Sequence, residues 1–144
     1  MERVQLALNV SNVDEAVDFY AKLFKTPVTK RRPGYANFAI DSPPMKLVLI
    51  ENAKAAGTVN HLGVEVGTAD QVATETERLT QAGIAEAVEQ NSTCCYAVQN
   101  KVWASAPDGE RWEIYAVLSD APSELPMAAG CCTDQSAHDT VNVG

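Results

Sequence analysis

The strongest constraint on the fold is an internal repeat. The segment QLALNVSNVDEAVDFYAKLFKTPV, which starts at Gln5, aligns without a gap with HLGVEVGTADQVATETERLTQAGI, which starts at His61. The offset from position 5 to position 61 is 56 residues, and it also places Asp14 on Asp70. Because self-similarity at such a spacing indicates repeated supersecondary units, the chain is predicted to contain two similar modules.

Each copy is predicted to begin with a strand and a helix. An alternating apolar stretch predicts the strand, and apolar residues at helical spacing then predict a helix of about three turns. Asn12 or Ser11 is expected to cap the first helix and Thr68 the second, with Gly83 at the end of the second helix. The apolar positions of the first helix are Val13, Ala16, Val17, Tyr20 and Leu23.

Three short strands are predicted after each helix, so that each module reads βαβββ. The predicted strands cover residues 28–32, 35–40 and 46–50 in the first copy, and 87–93, 97–106 and 111–117 in the second. The predicted fold class is therefore α+β, with one domain at residues 1–118 that consists of modules 1–56 and 57–118. Residues 119–144 are rich in proline and small polar residues, which predicts a flexible, cysteine-containing tail.

The charge balance excludes some classes of partner. The chain has 144 residues and a formal net charge of −8, whereas nucleic acids and anionic membranes attract basic surfaces. No apolar run approaches the ~20 residues of a transmembrane helix, and the N-terminus does not resemble a signal peptide. We therefore expect a cytoplasmic protein with reduced thiols.

All four cysteines occur in two adjacent pairs, Cys94-Cys95 and Cys131-Cys132. Neighbouring cysteines form a strained disulfide, because disulfide geometry requires well-separated Cα atoms. A single buried cysteine is usually a small apolar filler, but that role gives no reason for adjacency. Two adjacent pairs in a reducing compartment are better interpreted as ligands for a soft element.

The duplicated βαβββ pattern resembles the vicinal oxygen chelate superfamily over the whole chain except the tail. The resemblance implies a half-barrel whose concave face holds a divalent metal on the first and last strands of the modules. Matched by position, the ligands would be Gln5, His61 and Glu113, with an apolar residue near Leu47 in place of a fourth ligand. Such nitrogen and oxygen donors suit iron, manganese or zinc. Considered singly, His61 could instead be a hydrogen-bonded core histidine and Glu113 a strand-edge acid.

Four stretches, RVQLALNV, NHLGVEV, NSTCCYAVQNKVW and PDGERWEIYAV, resemble the bacterial C–As lyases. A relative of that group is described as a cadmium-induced protein. The resemblance implies an Fe(II)-dependent dioxygenase that detoxifies trivalent organoarsenicals, such as methylarsenite and trivalent aromatic arsenicals, by cleaving them to arsenite. Gln5, His61 and Glu113 would then be the catalytic metal ligands, and dioxygen the second substrate.

The adjacent cysteines fit this resemblance chemically. Cys94 and Cys95, expected at the turn between two strands near the cavity rim, could bind one trivalent arsenic atom through both sulfurs. Tyr96, Lys101 and Trp103 are further candidates to line the cavity. Cys131 and Cys132 are interpreted as a thiol arm that captures arsenical or product.

Two other functions remain open at this stage. One is a different enzyme of the same fold, such as a glyoxalase-like isomerase or a thiol transferase, for which a fourth protein ligand is typical. The other is a non-catalytic cadmium- or arsenic-binding protein, in which both cysteine pairs would be equivalent. A monomer and a homodimer are both compatible with the sequence.

Overall fold

The computed structural model describes residues 2–94 and 96–120, with Cys94 described by its backbone alone. The chain divides into two compact units. The first unit comprises residues 3–62, and the second comprises Glu2 together with the chain from Gly63 onward.

The first unit contains one helix and five hydrogen-bonded strands in the order β2-β3-β4-β1-β5. Strand β1 is parallel to β4, whereas β3 is antiparallel to both β2 and β4. The elements are β1 (Arg3–Val10), α1 (Val13–Phe24), β2 (Lys30–Arg32), β3 (Tyr35–Asp41), β4 (Pro44–Glu51), a 3-10 turn (Ala53–Ala55) and β5 (Val59–Glu65), whose last residues belong to the second unit.

The second unit repeats this plan, with strands in the order β8-β7-β6 next to the end of β5. Strand β7 is antiparallel to both β6 and β8. Strands β1 and β5 begin 56 residues apart, as do helices α1 and α2, and this is the offset of the repeat. The predicted α+β class and βαβββ pattern are thereby confirmed. The remaining elements are α2 (Ala69–Gln81), β6 (Ala87–Cys94), β7 (Ala97–Ser105) and β8 (Arg111–Asp120).

The helix boundaries follow from local hydrogen bonds. Asn12 Oδ1 accepts from the Glu15 amide at 2.9 Å and starts α1. Thr68 and Gln71 form a capping box at the start of α2, in which each side chain accepts from the other residue's backbone N–H. Gly83, with a φ of +80°, follows the end of α2, and this left-handed conformation favours glycine. Of the two candidates for the first cap, Asn12 and not Ser11 is the cap, and the cap predicted at Thr68 is confirmed.

Leu23 was expected on the buried face of α1, and this prediction is wrong. Its side chain is 55% exposed, whereas Ala21 and Phe24 pack against the core. At ~100° per residue, Leu23 lies about a quarter-turn from the centre of the apolar stripe that the other residues of α1 form.

Two strand boundaries also differ from the prediction. The strand predicted to start at residue 28 begins at Lys30. Strand β8 continues to Asp120, two residues into the segment predicted as tail, because Ser119 and Asp120 pair with Val98 and Ala97 of β7. The rest of the predicted tail, residues 121–144, lies outside the described residues.

The apolar core of the first unit lies between its sheet and α1. It includes Val13 of the helix with Phe38 and Leu47 of the strands. In the second unit, Val72 of α2 packs with Ala116 of β8 in the corresponding layer. Successive strand residues point to opposite faces. The strand side chains that do not pack against the helix therefore lie on the face that points away from it. Within the described ranges, no helix is long and apolar enough to cross a membrane.

Two leucines provide a matched test of this core. Leu47→Ala is expected to lower the free energy of unfolding by about 2–5 kcal/mol, since Leu47 is only 1% exposed and its truncation leaves a cavity. Leu23→Ala, the same change on an exposed helix face, should stay within about 0.5 kcal/mol of the parent. Urea denaturation of the two variants gives both values, and equal losses would contradict the assignment of the core.

Candidate functional site

The face of β1 that points away from α1 carries buried polar side chains. Leu6, Leu8 and Val10 pack towards the helix, so Gln5 and Asn9 occupy the opposite face. Both side chains are buried. Since buried polar groups are almost always hydrogen-bonded, their partners identify what this face is built to hold.

Gln5 and His61, which are equivalent positions of the repeat, lie in contact within the first unit. Gln5 Nε2 is 3.3 Å from His61 Nε2, and the imidazole is 1% exposed. The other ring nitrogen, Nδ1, is 2.7 Å from Asn60 Oδ1. A histidine with one nitrogen held by a protein oxygen is typical of metal-binding histidines, because that contact orients the ring.

An apolar residue near Leu47 was predicted where a fourth metal ligand would lie, but Leu47 itself is not on the face that carries Gln5. Leu47 lies opposite Leu6 in the β1–β4 ladder and belongs to the core next to α1. The β4 residues on the Gln5 face are Lys46, opposite Gln5, and Val48. A lysine ammonium has no lone pair for a metal and a valine side chain has no ligand atom, so neither is expected to act as a fourth ligand.

Glu113 forms a buried ion pair in the second unit. Lys101 Nζ donates to Glu113 Oε1 at 2.7 Å, and both side chains are almost fully buried. The ammonium also lies 5.3 Å from the ring centroid of Trp103 and 5.8 Å from that of Tyr115. These distances are within the range of cation–π attraction, so the lysine is held by a carboxylate and two aromatic faces.

Trp103 is itself fixed by charged neighbours. Its indole Nε1 donates to Glu89 Oε2 at 2.9 Å, and the Arg111 guanidinium carbon lies 4.5 Å from its ring centroid. In the β7–β8 ladder Trp103 lies opposite Glu113, and Lys101 lies opposite Tyr115. The Lys101–Glu113 pair is therefore a diagonal cross-strand contact on one sheet face.

Sequence reasoning named Lys101 and Trp103 only as residues that line a cavity. The ion pair with Glu113 was missed. Alternation along β7 indicates that Lys101 and Trp103 share a face of that strand, and alternation along β8 indicates the same for Glu113 and Tyr115. Only the register of β7 against β8 shows that these two faces are the same.

The cysteine pair of the scaffold lies at the β6–β7 hairpin. Cys94 is the last residue of β6, and it pairs with Ala97, the first residue of β7. Tyr96, between the strands, has a φ of +62°. The predictions for Cys95, Cys131 and Cys132 fall outside the described residues.

The acidic, cysteine and histidine side chains alone do not indicate a metal site. Among the side chains that the structure describes, no group of three or more of them could hold a metal ion. The predicted ligand set includes the Gln5 amide, so it requires only two residues of these types.

Comparison with known proteins identifies the family. The family model of the glyoxalase/bleomycin resistance protein/dioxygenase superfamily matches residues 3–114. The chain belongs to this superfamily. This membership confirms the vicinal oxygen chelate fold that the duplicated pattern predicted.

Within the superfamily, similar proteins include a "cadmium-induced protein CadI" of Mycobacterium tuberculosis, which is 56% identical over 121 residues, 84% of this chain and 80% of that protein. The "trivalent organoarsenical cleaving enzyme" of Thermomonospora curvata is 50% identical over 140 residues, 95% of this chain and 92% of that enzyme. Among solved structures, the 2,3-dioxygenase LapB of Pseudomonas sp. KL28 matches with a TM-score of 0.62 at 18% identity, covering 88% of this chain and 46% of that one. The structural likeness shows the fold alone.

The buried ion pair predicts a specific loss of stability. In the metal-free protein, Lys101→Met is expected to lower the free energy of unfolding by about 3–5 kcal/mol, because it leaves a buried carboxylate without its ammonium partner. The double variant Lys101→Met/Glu113→Leu should recover most of this loss, since it removes both charges. Chemical denaturation of both variants tests the pair, and equal stability of the single and double variants would contradict it.

Proposed function

We propose that this protein cleaves the carbon–arsenic bond of trivalent organoarsenicals and releases arsenite, using Fe(II) and dioxygen. The observation that carries the proposal is the similarity to the trivalent organoarsenical cleaving enzyme of Thermomonospora curvata. The two sequences are 50% identical over nearly the full length of both chains. The proposed role is arsenical detoxification. Because the chemistry needs free thiols, we place it in the reducing cytoplasm.

Gln5, His61 and Glu113 are the proposed metal ligands. Each is buried, and together they offer an amide oxygen, an imidazole nitrogen and a carboxylate, a donor set that suits iron. Gln5 and His61 support the proposal because their side-chain ends lie 3.3 Å apart in the metal-free protein; the Gln5 amide would rotate to present its oxygen to a bound metal. A bound Fe(II) with three protein ligands would supply open positions at which dioxygen is activated.

The Lys101–Glu113 ion pair is compatible with metal binding. Lys101 donates to Glu113 Oε1 at 2.7 Å, and an ionised carboxylate offers about four lone-pair sites on its two oxygens. Ligating carboxylates are commonly hydrogen-bonded by a further group that orients them. We propose that Lys101 has this orienting role and keeps Glu113 ionised and in one rotamer.

Cys94 and Cys95 are the proposed substrate ligands. Two cysteine thiols and a trivalent arsenical R–As(OH)₂ form two As–S bonds and release two water molecules, while the R–As bond stays intact. A hairpin end that is held by the β6–β7 ladder would then orient the R–As bond for attack, which lowers the entropic part of the barrier. Cys131 and Cys132 are proposed as an accessory pair that captures arsenical.

A non-catalytic role in cadmium or arsenic binding is the second candidate. It is favoured by the 56% identity with the cadmium-induced protein of Mycobacterium tuberculosis. In that role both cysteine pairs would contribute equally, and Glu113 would be dispensable.

The metal and oxygen dependence of turnover tests the first proposal. Removal of metal is expected to abolish arsenite release from methylarsenite, and anaerobic loading with Fe(II) followed by air should restore it far better than Zn²⁺. The measurement is arsenite released per mole of protein, with and without air. Full arsenite release with Zn²⁺ or without oxygen would contradict the dioxygenase reaction, because it would require a redox-neutral cleavage in which water protonates the organic group.

Iron content of ligand variants is the control in the same assay. His61→Ala should fold yet lose iron and turnover. Glu113→Ala should do the same at a lower free energy of unfolding, because it removes the carboxylate partner of buried Lys101. Gln5→Ala should lose less iron and turnover, because water can replace an amide oxygen. If Glu113→Ala retains one iron per chain, the proposed ligand set is wrong.

The two cysteine pairs are expected to behave differently. Replacing Cys94 or Cys95 with serine should reduce turnover on the order of 100-fold or more. A single thiolate forms only one As–S bond, which does not fix the orientation of the R–As bond. Truncation after Met127 should leave turnover at saturating methylarsenite nearly unchanged. Loss of turnover in the truncated protein, together with tolerance of Cys94→Ser, would assign substrate binding to the other pair or support the binding-protein role.

A further inference from the structure

A continuous chain of side-chain hydrogen bonds in the first unit leads to His61. Asn9 Nδ2 donates to Thr58 Oγ1 at 2.9 Å, and Asn60 Nδ2 donates to Asn9 Oδ1 at 2.9 Å. Asn60 Oδ1 then lies 2.7 Å from His61 Nδ1. We refer to Thr58, Asn9 and Asn60 as the relay. None of the three was singled out by the sequence pattern.

The direction of the relay is set by a backbone carbonyl at its far end. Thr58 Oγ1 lies 2.6 Å from the carbonyl oxygen of Ala55, which can only accept. The single hydroxyl proton of Thr58 is therefore directed at Ala55, and Oγ1 acts as the acceptor for its other neighbour. Asn9 must present its amide nitrogen to Thr58, which leaves its amide oxygen facing Asn60.

The same logic passes through Asn60 to the imidazole. Because Asn9 presents an oxygen, Asn60 must donate from Nδ2, and its own oxygen is then left for His61. An amide oxygen only accepts, so His61 Nδ1 must carry a proton. A neutral imidazole has one N–H, which makes Nε2 the nitrogen with the lone pair.

Burial makes this arrangement difficult to reverse. Asn9, Asn60 and His61 are each at most 2% exposed, so water cannot readily replace their partners. Backbone hydrogen bonds also hold Thr58 next to Asn9 without any side chain. The Asn9 amide donates to Thr58 O and the Gly57 amide donates to Asn9 O, both at 2.9 Å. Reversal would require both asparagine amides to flip together with the threonine hydroxyl.

We infer that the relay fixes the proton of His61 on Nδ1 and thereby presents Nε2 as the metal-binding nitrogen. The inference rests on the proposed function for the identity of the metal, but the tautomer itself is a property of the metal-free protein. It also assigns the Gln5 contact: Gln5 Nε2, 3.3 Å away, donates to the lone pair of Nε2. Thr58, Asn9 and Asn60 are positioning residues that act through His61.

The tautomer can be read directly by ¹⁵N nuclear magnetic resonance. Metal-free, ¹⁵N-labelled protein at about pH 8.5, some two units above the ordinary imidazole pKa of ~6.5, should show His61 protonated on Nδ1 in two-bond ¹⁵N–¹H correlation spectra. The chain has two histidines, His61 and His138, so a His61→Ala spectrum assigns the signals. A proton on Nε2 in the parent protein overturns the inference.

A matched pair of variants at Asn60 tests the last step of the relay. Asn60→Leu removes the acceptor at similar volume, and the Nε2-protonated form should appear. Its Fe(II) affinity, measured anaerobically against a chromogenic chelator, should fall about 10- to 100-fold. Asn60→Asp keeps an oxygen at Nδ1 but removes the donor to Asn9 Oδ1, so the proton should stay on Nδ1 and the variant isolates the last contact of the relay. An unchanged tautomer in Asn60→Leu overturns the inference.

Thr58 provides a second test that does not disturb the core, because its side chain is exposed. Thr58→Val removes the acceptor for Asn9 and should shift part of the His61 population to the Nε2-protonated form, whereas Thr58→Ser should not. Identical spectra for both variants would overturn the role of the threonine.

The two proposals fail in different ways. If His61 is protonated on Nδ1 but the protein binds no iron, the relay is supported and the proposed metal site is refuted. If His61 is protonated on Nε2 in a protein that binds iron and is active, the relay alone is refuted.

Discussion

Burial of polar side chains on one face of each sheet is the constraint on which the candidate site depends. In both units the helix covers one face with apolar contacts, and the alternation of strand residues then assigns the polar side chains to the other face. Gln5 and His61 in the first unit and Glu113 in the second are almost fully buried there. Burial of such groups is costly unless each has a partner, and the partners that the protein supplies are specific: amides for the imidazole and an ammonium for the carboxylate.

The contacts described above differ in charge between the two units. The neighbours of His61 described above are uncharged amides, which orient the ring without adding charge. Glu113 is instead neutralised by Lys101, which is in turn held against two aromatic rings.

Comparison of the sequence-based expectations with the structure shows which signals were reliable. The repeat correctly paired the first strands and the helices, because matching apolar periodicity must bury matching faces. The caps at Asn12 and Thr68 were correct because capping depends on residues only three positions apart. Leu23 was misplaced because its angular position lies at the edge of the stripe, where packing of the particular helix decides burial. The sequence predicted an apolar residue near Leu47 in place of a fourth ligand, but it could not show that Lys46 is the residue opposite Gln5, because the parallel β1–β4 register is a non-local property.

The sequence by itself determined the duplicated βαβββ plan, the superfamily and the types of residue available for chemistry, since these follow from periodicity and from motifs that are contiguous in the chain. Tertiary structure alone decided which of those residues meet. Lys101 and Glu113 come together through the β7–β8 register, and Asn9 reaches Asn60 across 51 residues of chain. Pairings of this kind depend on how strands align and on which direction each amide must face to satisfy its neighbours. Those conditions are imposed by the hydrogen-bond network as a whole, and no local stretch of sequence contains them.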